Sequence, residues 1–162
     1  MTGRLSDVGN RAGDDDMSGQ QLITFQLGEQ CLGVDIMAIR EIRAWTPSTP
    51  LPGVPAYMKG VVNLRGVVLP VLDLRYRLGW GSTEPTARHV IIVVQVGAQQ
   101  RGLIVDAVND IVTIDHADVQ PVPEGSSERS GFITGLTNQG DNMVLMLSLD
   151  AIGGPAEMRE AA

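Results

Sequence analysis

The chain has 162 residues, enough for one ordinary domain or two small ones, and with 43% hydrophobic residues it can bury a core. Its formal charge of −7 would repel a nucleic-acid backbone or an anionic membrane surface. A single cysteine, Cys31, excludes an intramolecular disulfide and a thiolate-rich metal site, and fits a reducing compartment.

Taken in chain order, residues 1–19 are rich in Gly, Asp and Ser, have few large apolar groups and predict a disordered tail. The Asp14–Asp16 run within them reads as solvated charge. This stretch lacks the apolar core of a signal peptide, and nothing later approaches the roughly 18 apolar residues of a membrane span. A cytoplasmic protein with no membrane insertion is expected. From residue 20 on, aromatics are scarce at 4% of the whole chain, and Val, Ile, Leu and Gly dominate, which suits short strands joined by glycine turns. "LITFQLGEQCLGVDIMAIREIRAW" (22–45) predicts strand, glycine turn, strand with a half-buried Cys31, a brief helical stretch near Ile36–Arg40, and strand.

"YMKGVVNLRGVVLPVLDLR" (57–75) predicts a hairpin of Val61–Leu64 and Val67–Leu72 around Arg65-Gly66, with Arg65 at the tip, away from the core. Pro70 cannot donate to a ladder and predicts an edge or bulge there. A short helix is expected over Asp73–Leu78. The pattern of 22–45 then returns over 91–114, with its helical stretch near Ile104–Val108. Short helices at His116–Val119 and Leu149–Ile152 flank a last strand pair that ends with Asn142–Leu149, and 154–162 form a C-terminal tail.

The return is a repeat. A shift of 69 positions lays 22–45 on 91–114 without a gap, matching Gln26/Gln95, Gly28/Gly97, Gln30/Gln99, Gly33/Gly102, Ala38/Ala107 and Ile42/Ile111. "YMKGVVN" (57–63) is likewise parallel to "FITGLTN" (132–138). Each half carries about five strands, and five strands close into a small barrel without exposed edges. The predicted class is all-β: two five-stranded barrels, interleaved or tandem, over about 20–80 and 88–148, with short connecting helices. A single large β-sandwich is the structural rival.

No catalytic constellation is found. His89 and His116 lack ligand-spaced partners and read as surface histidines, and none of the 19 glycines falls in a phosphate-cradling motif. Asp106 and Asp110 are a pair that an acidic chain contains by default. The expectation is a protein that is not an enzyme and has no cofactor and no metal. A single-strand nucleic-acid-binding barrel needs a basic groove and stacking aromatics, whereas Trp45, Tyr57, Tyr76 and Trp80 read as core or junction packing. Protein binding through strand edges, hairpin tips and an apolar groove between barrels is the preferred reading.

"VDIMAIREI", "PAYMKGVVNLRGVVLPVLDLR", "GLIVDAVNDI" and "ITGL", in that order, resemble the CheW family of chemotaxis coupling proteins over roughly residues 20–153. The resemblance implies two SH3-like barrels enclosing an apolar groove. It also implies an adaptor between the cytoplasmic tip of chemoreceptors and the regulatory domain of the histidine kinase CheA, recruited to membrane receptor arrays. By position, the receptor-facing set is Ile39, Glu41, Arg65, Val90, Gly102, Val108 and Ile111, and the kinase-facing set is Lys59, Gly60 and Glu124. Apolar side chains would hold a helical ridge while Glu41 and Arg65 set its register. In "QPVPEGSSERS" (120–130), Gln120 and Gly125 stand where the family's ring-forming segment has a basic residue and an apolar anchor, so ring closure is expected to be weakened. A relative serving a non-flagellar array, in twitching motility or second-messenger control, fits the same residues.

Overall fold

A computed structural model describes residues 19–123 and 131–153. The expectations for the N-terminal tail up to residue 18, for Glu124 and Gly125, and for 154–162 lie outside them. Among the described residues, sequence and structure agree on ten strands: β1 Gln20–Leu27, β2 Gln30–Asp35, β3 Ile39–Ala44, β4 Met58–Leu64, β5 Val67–Asp73, β6 Val90–Val96, β7 Gln99–Val105, β8 Ala107–Ile114, β9 Ile133–Gln139 and β10 Asn142–Leu147. Two short helices, α1 (Leu74–Arg77) and α2 (Leu149–Gly153), follow β5 and β10. The β1–β2 and β6–β7 turns place Gly28 and Gly97 at φ 59° and 61°, a region glycine enters without steric cost.

The strands form two five-stranded sheets, in the orders β8-β1-β2-β10-β9 and β3-β6-β7-β5-β4. The halves at 20–80 and 88–148 therefore interleave: each sheet takes its central hairpin from one repeat and its other three strands from the other. The 69-residue shift carries β1, β2 and β3 onto β6, β7 and β8, and a shift of 75 carries Met58 to Ile133 and Leu74 to Leu149. The registers obey the same symmetry. Gly33 of β2 faces Met146 of β10, and Gly102 of β7 faces Val71 of β5, both in parallel pairs.

Each sheet curls into a barrel closed by the chain that continues from its edge strand. Beyond β3, Thr49 pairs with Val61 of β4, and beyond β8, Gln120 pairs with Leu136 of β9. Alternation along the strands sends one face into each barrel and the other toward its twin. Val62, Leu64, Leu69, Val71, Ile91, Val93 and Ile104 fill the β3–β7 barrel, and Leu22, Ile114 and Val144 fill the other. The largest cluster belongs to both: Phe25, Leu32 and Leu147 from one sheet pack with Leu72, Ile92, Leu103 and Val105 from the other. Much of the apolar space predicted between the barrels is thus packed core. β6 reads as a near-continuous apolar run because both its faces are buried.

Two local expectations change. Ile104–Val108 is not helical: β7 runs to Val105, the chain bends at Asp106, and β8 begins at Ala107, whereas its repeat mate Ile36–Ala38 is a 3-10 turn capped by Asp35, which accepts from Met37 N at 2.9 Å. Pro70 lies in β5, an interior strand. It is tolerated because Val61, opposite it, turns both backbone groups to Thr49, and because β5 begins pairing with β7 only at Val71.

Candidate functional site

The β4–β5 hairpin turns in two residues. Arg65 (φ 54°) and Gly66 (φ 87°) both have positive φ, the requirement of a type I′ turn, and Asn63 Oδ1 accepts from Gly66 N at 2.8 Å. The tip carries the Arg65 side chain, 71% exposed, over to β3, where its Nη2 donates to Glu41 Oε1 at 2.9 Å. Arg43 Nη1 donates to Glu41 Oε2 at 2.8 Å. Held by Arg65 and then Arg43, the Glu41 carboxyl lies below the usual glutamate range, and Glu41 raises Arg65 in return.

A bulge aims this group. β3 slips against β6 between Ile39, opposite Val94, and Glu41, opposite Val93, and β8 slips against β1 at the matching place, between Val108 and Asp110. Ile39, Val90 and Val108 are half-buried and rest on the margin of the shared core. Ile111 is 51% exposed on β8, and its repeat mate Ile42 is 43% exposed on β3. The structure thus joins Arg65 to Glu41, and it seats Ile39, Val90 and Val108 on one cluster. Gly102 stands apart: it is buried, and a Cβ there would meet Ile91 Cγ2 at 2.9 Å inside the barrel.

Of the kinase-facing set, Lys59 is half-exposed, with Nζ 4.0 Å from Asp73 Oδ2. Asp73 is buried and caps α1 while accepting from Thr83 N and Thr83 Oγ1, each at 2.8 Å. Gly60 is buried at φ 150°, and a Cβ there would run into the Thr49 carbonyl oxygen. Glu124 lies outside the described residues. A pocket of about 450 Å³ opens between Leu27, Trp80, Val122, Ile133, Leu136 and Leu145, with Arg75 and Glu29 also lining it. None of the receptor-facing residues lines this pocket.

Sequence reasoning missed several groups. Val67 and Val68, 61% and 63% exposed, make the hairpin an apolar as well as a cationic tip. Ile42 was visible only as a repeat identity. His89 is half-buried rather than a surface residue. Its Nδ1 accepts from Thr86 N at 2.9 Å and its Nε2 faces Asp106 Oδ1 at 3.3 Å, while Asp106 Oδ2 accepts from Gly28 N at 2.7 Å, tying the two barrels together. His116 is exposed beside Gln20. Among the described residues no group of three or more His, Cys, Asp or Glu side chains could hold a metal ion, and no helix is long and apolar enough to cross a membrane.

The chain matches the profile of the CheW-like domain over residues 21–154. It is 51% identical to chemotaxis protein CheW of Rhizobium meliloti, over 89% of this chain and 93% of that one. It is 31% identical to chemotaxis protein CheW of Klebsiella aerogenes, over 95% and 92% respectively. The crystal structure of the scaffolding protein TtCheW from Thermoanaerobacter tengcongensis superposes with a TM-score of 0.77 at 32% identity, covering 82% of this chain and 91% of that one. With the repeat, the exchanged hairpins and the "NLRG" turn all in place, the chain belongs to the CheW family of bacterial chemotaxis scaffolding proteins.

Proposed function

We propose that this chain is a non-catalytic adaptor that couples the cytoplasmic tip of chemoreceptors to the regulatory domain of the histidine kinase CheA, from the cytoplasm at membrane receptor arrays. Family membership supports the adaptor role. The observation that carries the assignment of surfaces is the Arg65–Glu41–Arg43 cluster, presented on a rigid two-residue turn beside apolar side chains that rest on the shared core.

The receptor-facing surface is assigned to Arg65, Glu41, Ile39, Val90, Val108 and Ile111. Gly102 acts through packing, because only a residue without a Cβ lets β7 lie this close to Ile91. Apolar side chains at the margin take the ridge of a helical hairpin, and the ionic cluster sets its register. The kinase-facing surface is assigned to the Lys59 flank, positioned by Gly60, with Glu124 as a further contact.

The test is reconstitution of the full chain with a receptor hairpin fragment and the kinase, reading complex formation and autophosphorylation. Arg65→Glu is expected to lower receptor affinity at least tenfold, on the order of 1.4 kcal/mol, with kinase binding close to normal. Equal loss of both partners in a variant that still folds sinks the assignment of surfaces.

A further inference from the structure

Asp106 is the single residue between β7 and β8, where the chain leaves one sheet for the other. Its carboxylate is held from both sides of that crossing. Oδ2 accepts from Gly28 N at 2.7 Å, in the β1–β2 turn of one sheet, and Oδ1 faces Nε2 of His89, at the head of β6 in the other, at 3.3 Å. His89 has little freedom to do otherwise. Its Nδ1 accepts from the Thr86 backbone N–H at 2.9 Å, a donor that cannot reverse its role, so the ring proton sits on Nε2, pointed at Asp106. The backbone of His89 is fixed as well, its carbonyl accepting from Trp45 N at 3.1 Å and its N–H donating to Thr86 O at 3.0 Å.

The repeat supplies the comparison. The 69-residue shift carries Gln20 onto His89 and Met37 onto Asp106. The β1–β2 and β6–β7 turns are alike, down to Gln26 and Gln95 donating to the carbonyls of Gly28 and Gly97. The crossings are not. Met37 is 76% exposed, Gln20 pairs with His116, and the chain passes from β2 to β3 through the 3-10 turn Ile36–Ala38. Where Asp106 is tethered, the passage shortens to a one-residue bend. The apolar margin lies on the tethered side: Val90 follows His89 and pairs with Val105, and Val108 stands two residues past Asp106, opposite Phe25, whereas the repeat mate of Val90 is the exposed Gln21. We propose that His89 is a positioning residue: through Asp106 it sets the spacing of Val90 and Val108, the two half-buried side chains that flank this bend, for the helical ridge of a receptor. The inference rests on the receptor-facing reading above and adds the residue that holds that surface in shape, as a contact surface needs supporting hydrogen bonds to keep its geometry.

Two substitutions separate the two bonds of the ring. The amide of His89→Gln reaches the place of Nε2 and can donate to Asp106, whereas that of His89→Asn reaches only the place of Nδ1 and can accept from Thr86. In the full chain, His89→Asn is expected to lower affinity for a receptor hairpin fragment about fivefold and leave kinase binding unchanged, and His89→Gln to stay within about twofold of the parent for both. In the protein without partners, the Val108 methyl resonances are expected to move in the Asn variant and to hold in the Gln variant. Arg65→Glu is measured alongside. With Arg65→Glu weakening receptor binding, a folded His89→Asn that binds receptor normally, that loses both partners equally or that leaves Val108 unmoved overturns the proposal. With Arg65→Glu binding receptor normally, the surface assignment is what fails, and the Val108 resonances alone decide whether His89 positions the margin. Should His89→Asn fail to fold, the imidazole nitrogen shifts of the parent decide: a proton on Nε2 upholds the tether and one on Nδ1 overturns it.

Discussion

Arg65 combines two features whose requirements pull apart, a tight turn and a long exposed cation, and its backbone shows it. A turn with positive φ at both central residues favours Asn or Gly, yet this chain places a long cation there, 71% exposed. Arg65→Asn is therefore expected to keep stability within about 0.5 kcal/mol, whereas the β-branched Arg65→Val should cost about 1–2 kcal/mol in urea unfolding. The Asn variant removes the guanidinium without disturbing the hairpin, and its receptor binding reads the side chain alone. Titration of Glu41 gives a second check. Its folded pKa is depressed by the hydrogen bonds from Arg65 and then Arg43, so the stability it contributes is present above the unfolded value and is lost as pH falls through the folded one. In Arg65→Asn the Glu41 carboxyl is expected to titrate closer to its ordinary value by NMR. An unchanged titration would mean that Arg43 alone holds it.

Among the elements, the close crossings test how tightly each barrel shuts. Gly60 and its counterpart Gly135 both sit where the closing chain passes β4 or β9, but they differ in kind. Gly60 combines positive φ with a Cβ position blocked by the Thr49 backbone, whereas a Cβ on Gly135 would press hardest on the Val119 methyl at 2.7 Å, with the Gln120 carbonyl oxygen at 3.2 Å and Met146 Sδ at 3.8 Å. Gly60→Ala is expected to cost about 2 kcal/mol or more, and Gly135→Ala less, because Val119 can rotate while backbone cannot yield; chemical denaturation of both variants checks the order. The strands themselves were legible from glycine turns and apolar runs, and the Arg65-Gly66 turn could be read from two residues. Sheet membership was not, because a repeat says which strands are alike and is silent on which copy each one pairs with. The 3-10 turn was over-extended to Ile104–Val108 for a related reason: similarity to 36–40 was taken to mean equal conformation, but Ile104 and Val105 belong to a strand buried on both faces. The burial of Arg101 was not read from the sequence, although its alignment with Leu32 was the available signal. Gly102 was grouped with surface residues by family position, and only the packing against Ile91 reveals how it acts.

At the scale of the molecule, cutting where the repeats join separates each hairpin from its sheet. Fragments 19–80 and 88–153 are each expected to lack native circular dichroism alone and to regain it on mixing, since either fragment carries two strands of one barrel and three of the other. Independent folding of either piece would contradict the exchanged pairing. The described backbone passes from one barrel to the other at two places only, between β2 and β3 and between β7 and β8, and both are short. A buried apolar cluster fills the space beside these passages, and the His89–Asp106–Gly28 chain of contacts braces it. The pair of barrels accordingly has no pivot. On the surface proposed to meet a receptor, a displacement imposed at Ile39 or Val108 would not be absorbed by one lobe swinging against the other. It would be relayed as a shift of the entire block, so that the proposed adaptor would act as a strut rather than a joint.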